Sequence, residues 1–65
     1  MKILVNGAWR DTGAPDLAAA LQELGYGDAV VATALNGEFV AAGSRPQARL
    51  SDGDRLEILA PMQGG

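Results

Sequence analysis

Two Asn-Gly pairs, Asn6-Gly7 and Asn36-Gly37, each end a run of alternating side chains, and this repeated feature limits the chain more than any other. Period-two alternation puts successive side chains on opposite faces of a strand. Asn-Gly then supplies the two positive-φ positions of the tight turn that best matches the twist of paired strands. Met1, Ile3 and Val5 lead into the first pair, so a strand should turn there into a second strand near residues 8–11. Val31, Thr33 and Leu35 lead into the second pair, and Glu38, Phe39 and Val40 supply the returning strand. Two hairpins are expected.

Between them the period changes. Gly13, Ala14 and Pro15 interrupt the alternation, and Asp16 can accept hydrogen bonds from the free N–H groups of a helix that follows. Leu17, Ala20, Leu21 and Leu24 recur at i, i+3, i+4 and i+7, an apolar stripe along a short helix that should stop at Gly25. Residues 41–48, with Gly43, Ser44 and Pro46, read as a loop that can hold one helical turn. Asp52-Gly53-Asp54 is a turn that launches a last strand over residues 55–60, where Leu56 and Ile58 alternate with Glu57 and Leu59. Pro61 removes a donor where pairing should end. One helix with two hairpins and a closing strand packs most simply as an α+β unit, a mixed sheet of about five strands wrapped over the helix. This is the β-grasp, or ubiquitin-like, arrangement, with Ile3, Val5, Leu56 and Ile58 expected in its core.

A chain of 65 residues is expected to form one domain, residues 1–65 with a tail at 61–65. Such a chain buries only about 60% of its unfolded surface, which argues against an enclosed substrate cavity. It has no His and no Cys, and no glycine-rich loop followed by Lys-Ser or Lys-Thr. The expectation is a protein that is not an enzyme, binds no cofactor of its own and holds no metal. Asp52 and Asp54 are too few for a calcium site and are read as turn residues. Five scattered basic residues and a net charge of −3 leave no phosphate-binding stripe, so nucleic acid is not an expected partner. The longest aliphatic stretch, residues 17–21, is far too short to span a bilayer, and no signal-peptide pattern opens the chain. A cytoplasmic protein, monomeric when free and without a membrane partner, is expected.

What remains for chemistry is the end of the chain, Gly64-Gly65. Gly65 is expected to carry a free α-carboxylate, which is ionised at neutral pH. Without Cβ atoms two glycines can extend through a narrow channel and bring the carbonyl close to a nucleotide phosphate. Because a carboxylate is a poor electrophile, loading it with sulfur requires prior activation by ATP in another protein's active site. A merely mobile end is the plain alternative. Nine glycines in 65 residues give a Gly-Gly ending by chance in about 2% of chains, so the tail gains its weight from the strand pattern that runs into it.

At three places the residues resemble the ThiS family, the ubiquitin-like sulfur carriers of thiamine thiazole synthesis. These are Leu35-Asn36-Gly37-Glu38-Phe39-Val40, then Leu50 and Asp52-Gly53-Asp54-Arg55-Leu56-Glu57-Ile58, and finally Pro61-Met62-Gln63-Gly64-Gly65. The resemblance spans essentially the whole chain. It implies that Gly65 is adenylated by an E1-like partner, converted to a thiocarboxylate with sulfur from a donor such as a cysteine desulfurase, and consumed by thiazole synthase. Met62, Gln63 and Gly64 would form the flexible tail, and ATP would be bound by the adenylating partner. Ala41-Ala42-Gly43-Ser44 departs from the family, in which a Pro-Arg pair and a nearby aromatic residue are common. Two neighbouring classes share the tail chemistry. A molybdopterin synthase small subunit usually carries Pro-Pro where Ala60-Pro61 stand here, and a ubiquitin-like modifier would join Gly65 to a target lysine.

Alternation also nominates a docking surface. If Ile3, Val5, Leu56 and Ile58 face the helix, Leu4 and Leu59 lie on the opposite face, with Pro61 beyond them as candidate partner contacts. Leu4 and Leu59 could instead cover one another across neighbouring strands. Trp9 is expected to be half-buried over the thin core, as large aromatic side chains usually are.

Overall fold

Both Asn-Gly pairs adopt the left-handed conformations that such turns require, with φ of 48° and 52° at Asn6 and Asn36 and 84° at each following glycine. In the computed structural model, which describes residues 1–61, the first turn joins β1 (Lys2–Val5) to β2 (Ala8–Asp11). The second joins β3 (Ala32–Leu35) to β4 (Glu38–Val40). A last strand, β5 (Arg55–Leu59), lies parallel to β1 and antiparallel to β3, giving one mixed sheet in the order β2-β1-β5-β3-β4. The strand that leads to the tail is therefore central.

The helix α1 (Leu17–Glu23) begins where Asp16 accepts the Ala19 N–H at 2.8 Å. It ends in a Schellman motif: Gly25, at φ 92°, donates to the Gln22 carbonyl, and Tyr26 donates to that of Leu21 at 2.8 Å. Its buried face, Leu17, Ala20 and Leu21, is the stripe read from spacing. Leu17 and Leu21 close over Ile3, Val5, Leu56 and Ile58 to form the core cluster, as their alternation requires. Leu24, Tyr26, Val31, Leu35, Val40, Ala48 and Leu50 pack around its rim. The fold is the expected β-grasp.

Local differences from the sequence reading have local causes. Residues 41–48 form a six-residue 3-10 helix, Ala42–Gln47, with Pro46 inside it. It is docked rather than loose: the Leu17 N–H donates to the Ala48 carbonyl and the Leu50 N–H to that of Pro15. The last strand stops at Leu59, one residue short of the expected end. Trp9 corrects an expectation outright, since it is 60% exposed. It stands opposite Leu4 on the outermost strand, β2, on the face turned away from α1, where no second layer covers it.

Candidate functional site

β5 carries the chain toward the proposed reactive end, so the site is built from whatever fixes that strand. Leu56 and Ile58 are buried beneath α1, while Arg55, Glu57 and Leu59 face outward. Each hairpin asparagine then uses its side chain on β5. At the start of the strand, Asn36 Oδ1 accepts the Arg55 N–H at 2.9 Å and its Nδ2 donates to Asp54 Oδ1 at 3.0 Å. Near its end, Asn6 Oδ1 accepts the Ile58 N–H at 2.8 Å and its Nδ2 donates to the Ile58 carbonyl at 3.1 Å. Asn6 stands just past the end of β1, so its amide continues the backbone ladder one step farther along β5. Spacing identified both asparagines as turn formers and missed this second use, which needs the parallel β1–β5 register to be known.

The other flank of the exit rests on Arg45. Its Nη2 donates to the Val31 carbonyl at 2.6 Å and its Nε to Thr33 Oγ1 at 3.0 Å, while the Thr33 hydroxyl donates to the Val40 carbonyl at 2.8 Å. Val31, with Val30, Ala32, Leu59, Ala60 and Pro61, lines a shallow apolar hollow where the chain leaves the sheet. Beside it, Ala32, Ala34, Phe39, Glu57 and Leu59 line a second apolar depression. Val30, Phe39 and Leu59 are 81%, 73% and 71% exposed, a concentration of apolar surface that soluble proteins rarely leave without a use.

Of the residues nominated from sequence, Leu59 and Pro61 are exposed at this exit and Leu4 is half-buried on the same face of the sheet. Leu4 and Leu59 do not cover each other: Leu4 lies opposite Trp9 and Arg55, and Leu59 opposite Ala32. Met62, Gln63, Gly64 and Gly65 lie outside the described residues. Phe39 and Val30 were missed. Phe39 was within reach, because a two-residue turn pairs it with Ala34, which must face away from the helix if Thr33 and Leu35 face toward it. Val30 precedes its strand and offers no periodicity to read.

Asp52 and Asp54 serve the turn. Asp52 Oδ1 accepts the Lys2 N–H at 2.7 Å and Asp54 Oδ2 accepts that of Ser51 at 2.8 Å. Among the described residues no cluster of three or more His, Cys, Asp or Glu is placed to hold a metal. No described helix is long and apolar enough to cross a membrane.

Comparison with known proteins gives this geometry a family. The ThiS family model matches residues 3–65. A thiazole synthase of Paramagnetospirillum magneticum is 41% identical over 66 residues, a match that covers all of this chain and 20% of that protein. The chain thus spans about a fifth of the length of the curated relative it matches. The crystal structure of the thiamine biosynthesis protein ThiS from Geobacter metallireducens superposes with a TM-score of 0.83 at 32% identity, over the full length of both chains. With the mixed five-stranded sheet, the single helix and these matches together, the chain belongs to the ThiS family of ubiquitin-like sulfur carriers.

Proposed function

We propose that this chain carries sulfur for thiazole formation in thiamine biosynthesis, with the Gly65 carboxylate as the group that is loaded and discharged. The observation that carries the reading is the family match running through residue 65 into Gly64-Gly65, on a chain whose central strand leads directly to that tail. An E1-like adenylating enzyme would bring ATP. A Gly65 carboxylate oxygen attacks the α-phosphorus, pyrophosphate leaves, and the acyl-adenylate so formed has AMP as its leaving group. Sulfide, or a desulfurase-borne persulfide together with a thiol reductant, then displaces AMP at the carbonyl and leaves a thiocarboxylate. Thiazole synthase consumes that sulfur and returns the carboxylate. The relative from Paramagnetospirillum supports the last step, since it carries a matching segment within a longer protein named thiazole synthase.

The chain's own contribution is presentation. Leu59, Pro61, Phe39 and Val30 offer an apolar surface beside the exit, and Leu4 extends the outer face toward Trp9. A partner seated there would hold the carrier while its own active site receives the glycines, and the site of action would be the cytoplasm.

Mass spectrometry of the protein recovered from cells making thiamine tests the assignment. Replacement of one oxygen by sulfur adds about 16 Da, and the reading expects that increment on the C-terminal peptide. Deletion of Gly65 should abolish loading with folding intact. An isopeptide adduct in place of the sulfur, or thiazole formation that persists after the deletion, would overturn it.

A further inference from the structure

Beyond carriage itself, we propose that Asn6 is a positioning residue for loading of the tail, fixing the point at which the chain departs from the sheet. The proposal rests on the carrier reading above and adds to it a residue outside the tail and outside the apolar exit surface.

The geometry is specific. β1 pairs with β5 only through Leu4–Arg55 and Val5–Leu56, and β1 ends at Val5. From Ile58 onward, β5 would have no ladder partner on that flank. Asn6 supplies one with its side chain, accepting the Ile58 N–H and donating to the Ile58 carbonyl, while its own N–H donates to the Leu56 carbonyl at 2.9 Å. A primary amide reproduces the donor and acceptor of a peptide group, and among side chains only Asn and Gln carry both on one rigid plane. Gln would be too long for this span and less suited to φ 48°. Ile58 thereby becomes the last residue of β5 held on both flanks, three positions before Pro61.

The consequence is kinetic. An adenylating enzyme must receive a short tail in a defined direction, and every freely rotating residue upstream adds an ordering cost on binding. With the Asn6 clamp that freedom begins after Ile58. Without it, freedom begins after Leu56 on the β1 flank, and the tail reaches the nucleotide from a broader set of directions.

The sheet contains its own control. Asn36 holds the opposite end of β5 through the Arg55 N–H with the same kind of amide contact, and it occupies the same kind of turn at nearly the same φ. Asn6→Gly and Asn36→Gly each keep a turn that glycine tolerates and each remove one clamp, at the exit end and the far end respectively. Full-length wild type and both variants are compared for ATP–pyrophosphate exchange with the adenylating enzyme of the same organism, alongside denaturation and amide exchange at Ile58. Asn6→Gly is expected to raise KM for the carrier about fivefold with kcat within about twofold, and to speed exchange at Ile58, while Asn36→Gly leaves KM near wild type. Asn6→Asp, which keeps the turn and the acceptor but loses the donor, should fall between.

Equal changes in KM for the two glycine variants, or no change in either, would overturn the proposal by reducing Asn6 to a stability role. Failure of wild type to support exchange at all sinks the carrier reading instead, and is seen before any variant is compared.

Discussion

Arg45 joins three segments through one planar group, and its position shows how much a single side chain can decide in a thin protein. Its guanidinium reaches from the 3-10 helix to the carbonyl of Val31 and to the buried hydroxyl of Thr33, which is 2% exposed. A hydrogen bond to a charged donor contributes about 1.5–3 kcal/mol, and removing the donor leaves partly buried acceptors unpaired. Arg45→Ala should therefore lower unfolding free energy by about 2 kcal/mol, read from the urea midpoint, with Arg45→Lys recovering part of the loss. Trp9 is the contrasting case. It is large but 60% exposed, so Trp9→Ala should change stability by less than about 0.5 kcal/mol in the same measurement. Nothing in the one-dimensional pattern separated these two residues, because what distinguishes them is which strand lies at the edge.

Among the elements, the legible ones were those whose signal is local. Asn-Gly dictates its own backbone conformation, Asp16 and Gly25 bracket a helix without help from distant contacts, and alternation divides β5 into a buried and an exposed face. The 3-10 helix was not legible as an element, because it has no side-chain cap and is held by hydrogen bonds to residues near the start of α1. The candidate site divides in the same way. Leu59 and Pro61 follow from alternation and from a proline stop, whereas the clamps from Asn6 and Arg45 depend on strand order and register. The burial that alternation assigned to β5 has a direct energetic test. Leu56 is fully buried between α1 and the sheet, and Leu56→Ala should cost about 2–5 kcal/mol by denaturant unfolding, enough to leave so small a domain largely unfolded.

For the molecule as a whole, the sheet has one face committed to α1 and one left to the outside, and the outer face is not uniform. Arg55 and Glu57 run down its centre on β5, with Trp9 and Leu4 on the β2 side and Ala32, Ala34, Phe39 and Leu59 toward β4. Only the second group adjoins the hollow where the chain leaves the sheet. If a loading enzyme grips the carrier beside the tail it modifies, the two groups must differ in consequence. A carboxylate introduced at Leu59 or Phe39 would have to be desolvated on docking, an unfavourable step without a partner charge. The same change at Trp9 would remain in water. Leu59→Asp and Phe39→Asp are thus expected to weaken adenylation of Gly65 at least about tenfold in kcat/KM, with unfolding midpoints near wild type because both positions are already exposed. Trp9→Asp should leave kcat/KM within about twofold. If Trp9→Asp proved the more damaging change, the β1–β2 side would be the docking surface, and the tail would have to cross the sheet to reach the enzyme's nucleotide.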